Sequence, residues 1–90
     1  MQIELKKIED SSVDYAFNVE IDDYKYKVTF TDAYYKKLTD GKIGPEELVK
    51  KSFEFLLERE APSSILAEFD LPTIQKYFPE YESTVARKEV

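Results

Sequence analysis

Two neighbouring runs of the chain alternate strictly between apolar and polar residues, which is the pattern of half-buried β-strands. The first runs from Val13 to Ile21 and the second from Tyr24 to Phe30. A two-residue turn at Asp22 and Asp23 places every apolar residue of one run opposite an apolar residue of the other. Because a slip by one residue would turn these side chains to the wrong face, the pattern predicts a β-hairpin in a single register.

The predicted pairs are Ile21 with Tyr24, Val19 with Tyr26, Phe17 with Val28 and Tyr15 with Phe30 on one face, and Glu20 with Lys25 and Asn18 with Lys27 on the other. The turn type is less well defined, since Asp-Asp is a less favourable pair than Asn-Gly for a type I′ turn.

A third strand is predicted before the hairpin. Residues 2–8 alternate through Ile3 and Leu5, but Ile8 falls out of phase, which suggests a β-bulge. Asp10, Ser11 and Ser12 then favour a turn into the hairpin. The three runs together predict a three-stranded antiparallel β-meander.

Two helices follow the meander. The first is short, begins at a Thr31 or Asp32 cap and runs to about Thr39, with Asp40-Gly41 as its stop. The second, from Pro45 to about Glu60, has proline and two acidic residues in its first turn, which the backbone and the helix dipole favour. Its apolar residues cover about half of the helix circumference, so we expect contact on two sides. They are Leu48, Val49, Phe53, Phe55, Leu56 and Leu57, with Ser52 among them.

The last third of the chain predicts one or two short helices. A single helical turn from Ser63 or Ser64 passes through Ile65, Leu66 and Phe69, and Asp70 caps a final helix that carries Leu71, Ile74 and Phe78. Mixed charge and few apolar residues follow. The prediction is one α+β domain over residues 1–82 and a flexible tail over residues 83–90.

The composition excludes several kinds of chemistry. The chain has no cysteine and no histidine, so thiolate catalysis, disulfides and the commonest ligands for transition metals are absent, and no cofactor is expected. A net charge of −6 without a basic stretch argues against nucleic-acid binding. No apolar run reaches 18 residues and no secretion signal is recognisable, so we expect a cytoplasmic protein that does not enter a membrane.

The segment from Ile65 to Phe78 superficially resembles a helix-turn-helix. Its helices are too short and too close together, and Lys76 is the one basic residue in it. The segment therefore does not change the prediction that the protein does not bind nucleic acid.

Four side chains are candidate contact residues. Tyr34 and Tyr35 are adjacent on one helix and cannot both face inward, so one of them should be exposed. Arg59 lies within the apolar arc of the long helix, near its end, where an ion pair with Glu80 or Glu82 is its simplest role and ligand binding the alternative. Tyr81 completes the set.

These observations favour a non-catalytic module for protein interaction or regulation, with another protein as its partner. We expect a monomer or a weak homodimer, because a meander has two open edges, residues 2–8 and 24–30, that can pair across a twofold axis. The alternative is a small-ligand-binding protein, or an enzyme that uses carboxylates or tyrosine, with a pocket between the sheet and the long helix.

The C-terminal half resembles a block found in small, uncharacterised prokaryotic proteins. The residues that carry this resemblance are the segment from Phe53 to Glu60, then Ser64-Ile65-Leu66, Phe69-Asp70-Leu71, Ile74 and the segment from Tyr77 to Glu82. The resemblance implies a self-contained module of prokaryotic origin. It assigns no activity and no functional residue.

Overall fold

Four strands form one mixed sheet, and the helices pack on its apolar face. The computed structural model describes residues 2–85. The strands are β1 (Ile3–Ile8), β2 (Tyr15–Ile21), β3 (Tyr24–Phe30) and β4 (Glu68–Asp70), and the helices are α1 (Asp32–Thr39), α2 (Pro45–Leu57), α3 (Pro72–Tyr77) and α4 (Tyr81–Val85). The sheet order is β1-β2-β3-β4. The α+β class is confirmed, and the sheet has one strand more than the sequence predicted.

The hairpin has the predicted register from end to end. Ile21 pairs with Tyr24 beside the turn, and the pairing continues to Tyr15 opposite Phe30. In the turn, Asp22 has a φ of 52° and is the only one of the two aspartates with positive φ. The turn is therefore not type I′, which needs positive φ at both central residues. A short polar side chain such as that of aspartate tolerates the left-handed region better than most.

The predicted bulge in β1 is wrong. Pairing with β2 is continuous from Ile3 opposite Ile21 to Ile8 opposite Ala16. Ile8 is out of phase because it lies on the outer face of the sheet, opposite Ala16, where it is half-buried. Asp10 fixes the loop after β1 through an ion pair with Lys27, 3.2 Å between Oδ2 and Nζ.

This loop also delays the start of β2, which begins at Tyr15 and not at Val13. The hydroxyl and the backbone N–H of Ser12 both donate to the Asp10 carboxylate, at 2.6 and 3.0 Å. Together with Lys27, these bonds lower the pKa of Asp10 to about 2. The residues before Tyr15 thus form a turn closed by Asp10, which leaves them no strand partner.

The fourth strand corrects the prediction of a helical turn through Phe69. Only Pro62–Ser64 form a 3₁₀ turn, and Glu68–Asp70 extend parallel to β3. A backbone hydrogen bond flanks this pairing at each end: Lys27 N–H donates to Ala67 C=O at 2.7 Å, and Leu71 N–H donates to Thr29 C=O at 2.9 Å. The open edge of β3 supplies partners that local sequence does not reveal, and this tertiary pairing outweighs the helical spacing.

Helix α1 has the predicted ends. The Thr31 hydroxyl accepts from Tyr34 N–H at 3.1 Å, and the chain leaves the helix through Asp40 and Gly41, with φ of 54° and 73°. Helix α2 ends at Leu57, three residues before the predicted end at Glu60. Beyond Leu57 the Arg59 N–H bonds to Leu56 C=O, three residues back, which departs from the four-residue spacing of an α-helix.

Helix α3 is the predicted final helix, and α4, which follows Pro79, was not predicted. The predicted cap Asp70 accepts a hydrogen bond from the Thr73 hydroxyl, but the N-cap residue of α3 is Leu71. Of the predicted tail, residues 83–85 complete α4 and Val85 packs against the core, while residues 86–90 lie outside the described residues. In the described part of the chain, no helix is both long and apolar enough to cross a membrane.

Phe53 of α2 joins the two halves of the molecule. Its side chain has no exposed surface. Its ring lies 5.2 Å from that of Tyr26 in the hairpin and 6.0 Å from that of Phe69 in β4, measured between centroids. The hairpin and the C-terminal segment therefore share one core through α2.

Replacing Phe53 with alanine should lower the free energy of unfolding by about 3 to 5 kcal/mol, because it leaves a cavity where the hairpin and β4 meet. Lys50→Ala on the exposed face of the same helix should change it by about 0.5 kcal/mol or less. Chemical denaturation of both variants measures the difference. Equal, small losses would show that α2 does not join the two halves.

Candidate functional site

Arg59 is held at the C-terminal end of α2. Its Nε donates to Glu80 Oε2 at 3.1 Å, which confirms the predicted ion pair with Glu80. Its Nη1 donates to Phe55 C=O at 3.1 Å, and its guanidinium carbon lies 3.7 Å from the centre of the Phe55 ring. A hydrogen bond from the Glu80 backbone N–H and the one from Arg59 lower the pKa of the Glu80 carboxyl group. Arg59 thus caps a helix end and ties α2 to the segment before α4.

Tyr34 and Tyr35 are both half-buried, so the expectation that one of them is exposed is wrong. The Tyr34 hydroxyl donates to Glu82 Oε2 at 2.9 Å, and Lys37 Nζ lies 3.3 Å from the other oxygen of that carboxylate. The Tyr35 hydroxyl donates to Ile43 C=O at 2.5 Å. Each side chain faces the protein because its hydroxyl has a partner at the edge of the core.

Tyr81 has no exposed surface at all. Its hydroxyl shares a hydrogen bond of 2.6 Å with the Ser52 hydroxyl, which also donates to Leu48 C=O at 2.8 Å. Burial raises the pKa of Tyr81. Of the four sequence-predicted contact residues, Tyr81 therefore has no surface to offer a partner. Arg59 and Tyr34 meet its two neighbours, Glu80 and Glu82, and Tyr35 is bonded elsewhere, at Ile43.

An apolar groove lies elsewhere, between the end of α2, the chain around Leu66, and α3. It has a volume of about 190 Å³. Its floor consists of the buried side chains of Leu56, Ile65, Phe69 and Ile74, and its rim of Glu60, Ser64, Leu66, Thr73, Tyr77 and Phe78. It lies on the β4 side of the molecule, since Phe69 belongs to that strand.

Hydrogen bonds to β3 position one wall of the groove. The Tyr26 hydroxyl donates to Pro62 C=O at 2.6 Å, and the Lys27 N–H donates to Ala67 C=O. Between these two anchors the side chain of Ile65 is buried, which leaves Leu66 pointing outward. The wall is therefore part of the folded core and not a free loop.

Leu66 and Tyr77 are exposed on the rim. Leu66 is 50% exposed and Tyr77 is 68% exposed. Among the described residues, the only other exposed large hydrophobic residue is Tyr24, at 42%. Sequence reasoning did not single out either residue. Adjacency to another apolar residue, Ile65 or Phe78, is no signal for exposure, because the adjacent residues Leu48 and Val49 are both fully buried.

The space between the sheet and α2, where the sequence placed the alternative ligand pocket, is filled by core side chains. Phe17, Val19, Val28, Leu48 and Phe53 all have no exposed surface. Within residues 2–85 no buried side-chain polar atom lacks a hydrogen-bond partner, and no group of three or more acidic residues is arranged to hold a metal ion.

Comparisons with known proteins add no relatives: no family model matches the chain, and neither the curated proteins nor the solved structures contain a significant match.

The buried tyrosines predict a loss of stability at alkaline pH. Burial raises the pKa of Tyr81 above its ordinary value of 10.0, and burial followed by the bond to Glu82 raises that of Tyr34. Unfolding above pH 10 therefore releases protons that the folded state retains. The free energy of unfolding should change little between neutral pH and about pH 10 and fall as the pH rises further.

Tyr81→Phe should make this alkaline fall shallower, since it removes one of the tyrosines whose pKa the fold raises. At neutral pH the same change should cost about 1 kcal/mol, the loss of one buried hydrogen bond. Tyr77→Phe, which removes an exposed hydroxyl, should cost about 0.5 kcal/mol or less at neutral pH. Denaturation series at several pH values test this, and an unchanged alkaline slope in Tyr81→Phe would contradict the role given to its burial.

Proposed function

We propose that the protein is a non-catalytic interaction module, and that its groove binds a short segment of another protein. The segment carries one aliphatic or aromatic anchor residue and a basic residue beside it. The observation that carries the proposal is the exposure of Leu66 and Tyr77 on the rim of a single apolar groove. We place this interaction in the cytoplasm, the setting that the sequence favours.

The size of the groove supports a side chain as its occupant. Sites for cofactors and drug-sized molecules usually measure roughly 300 to 1,000 Å³. The groove measures about 190 Å³ and is open on one side. One large apolar side chain suits that volume, with the rest of the partner segment lying across the rim.

The two exposed side chains have the character of contact residues. Exposed large hydrophobics lose water contact when a partner covers them, and burial of each is worth roughly 1.5 to 3 kcal/mol. Tyrosine is enriched among the residues that dominate binding energy at protein interfaces. Leu66 and Tyr77 border the same concave surface, so one partner can cover both.

Charge favours a basic partner. The chain carries a net charge of −6, and Glu60 is the charged residue that lines the groove. An acidic protein attracts basic segments over a distance, which raises the association rate and selects among partners. A basic residue next to the anchor would lie near Glu60.

The carboxyl groups support binding over catalysis. A general acid at neutral pH needs a raised pKa. Within residues 2–85, three carboxyl groups have shifted pKa values, those of Asp10, Asp32 and Glu80, and hydrogen bonds within the fold lower all three. None of the three lines the groove. These charges serve to hold loops and helix ends.

Selection from a displayed library of random peptides tests the proposal. Peptides enriched on the wild-type protein should share an apolar anchor with a lysine or arginine nearby. Leu66→Ser and Tyr77→Ser should each weaken a selected peptide by about tenfold or more, as expected for central contact residues. Isothermal titration calorimetry with one synthetic peptide measures the change.

Tyr24→Ser is the matched control, because it removes an exposed tyrosine from the hairpin, away from the groove. It should leave peptide affinity unchanged. Glu60→Lys should weaken peptides with a basic residue more than peptides without one. Enrichment of no peptide, or of peptides whose binding depends on Tyr24 and not on Tyr77, would overturn the proposal.

A further inference from the structure

The outer edge of β1 is open. β1 pairs with β2 on one side, and no described strand pairs with it on the other. The edge of β3, by contrast, is covered by β4 over residues 27–29. We propose that β1 pairs with β1 of a second copy of the chain, antiparallel about a twofold axis, with Leu5 opposite Leu5.

The hydrogen bonds of β4 show which backbone groups of the sheet point outward. Lys27 donates its N–H to β4 and Thr29 accepts from the residue after β4, so both direct their backbone toward that edge. In an antiparallel pair, successive residues direct their backbone groups alternately to the two sides. Lys27 lies opposite Asn18 of β2, and Asn18 lies opposite Lys6 of β1, so the backbone of Lys6 is directed toward β2. The alternate residues of β1 direct their N–H and C=O groups to the open edge. These residues are Ile3, Leu5 and Lys7.

A twofold axis perpendicular to the sheet then restricts the register. The hydrogen-bonded pairs between two copies must come from these three residues, and paired residues must lie on the same face. With Leu5 opposite Leu5, Ile3 pairs with Lys7 on either side of the axis. Each of these three pairs, one Leu5–Leu5 and two Ile3–Lys7, forms two backbone hydrogen bonds. On the outer face, Glu4 of each copy lies opposite Lys6 of the other.

Charge selects this register over its neighbours. A shift of two residues in one direction places Glu4 opposite Glu4 of the second copy. The same shift in the other direction places Lys6 opposite Lys6. Both are destabilising, because like charges lie directly opposite each other. In the single chain, Glu4 lies opposite Glu20, another acid. Within residues 2–85 neither Glu4 nor Lys6 has an ion-pair partner. A second copy supplies the opposite charge to both.

The surface beside β1 leaves room for the added strand. Leu5 is half-buried and borders a depression of about 400 Å³ between β1 and the charged face of α2. Leu5 of the second copy would enter this space. An interface of one strand pair is small, so the dimer should be weak and should be studied from about 10 μM to about 1 mM protein.

Cross-linking tests the register, because the chain has no cysteine of its own. Hydrogen-bonded antiparallel pairs have Cα atoms about 5.5 Å apart, within the range for a disulfide. Leu5→Cys should therefore form a disulfide-linked dimer under mild oxidation. In the same register the two Ile3 positions are about 13 Å apart along the strands, so Ile3→Cys should cross-link at least tenfold more slowly. Equal rates for the two variants would overturn the register.

Sedimentation equilibrium tests the charge pairing. Glu4→Lys and Lys6→Glu should each weaken the dimer by about tenfold, because each creates two like-charged pairs. The double variant with both changes should recover most of the wild-type affinity. Lys76→Glu, an equal change of charge on α3, should have no effect. A wild-type protein that stays monomeric at about 1 mM, or a double variant as weak as the singles, would overturn the proposal.

Discussion

The burial of Phe53 between the hairpin and β4 is the contact on which the rest of the structure depends. Residues 2–30 form a sheet with one apolar face, and an isolated meander has little with which to cover it. Helix α2 covers that face, and Phe53 contacts both Tyr26 and Phe69. The C-terminal segment is thereby held against β3, where its backbone completes the sheet.

The groove follows from this arrangement. Once Phe69 is drawn into the core, the chain before it must cross the end of α2, and its hydrogen bonds to β3 fix where it crosses. Ile65 faces the core and Leu66 faces solvent as a result. The exposed rim is thus a consequence of how the C-terminal segment is docked, and it lies at the opposite side of the sheet from the open edge of β1. A dimer through β1 would leave both grooves accessible, and two linked grooves would bind a repeated partner more strongly than one.

The sequence predicts the parts of the fold that depend on near neighbours. The hairpin register, the Thr31 cap, the start of α2 and the pair between Arg59 and Glu80 all follow from alternation, turn length, helix-end chemistry or charge. Strand β4 could not be predicted in this way, because three residues have no strand pattern of their own and gain one only from the edge of β3. The bulge was predicted in error because an apolar residue, Ile8, lies on the outer face of the sheet, which the alternation pattern assigns to polar residues.

The candidate site was the least predictable part. Aromatic and charged residues drew attention to Tyr34, Tyr35, Arg59 and Tyr81, yet the structure gives all four partners within the fold. The exposed pair, Leu66 and Tyr77, consists of ordinary apolar residues in a segment rich in them. Whether either member of an adjacent apolar pair faces outward depends on tertiary packing, since Leu48 and Val49 are adjacent and both fully buried.

Hydrogen exchange at two backbone amides tests most directly whether the C-terminal segment is docked as described. The Lys27 and Leu71 N–H groups form the backbone hydrogen bonds at the two ends of the pairing between β3 and β4. If docking through Phe53 makes the molecule one cooperative unit, both amides should exchange as slowly as those between β2 and β3, with the same dependence on denaturant. Fast exchange of both, independent of denaturant, would show that the segment opens alone, and the groove would then not be a built part of the fold.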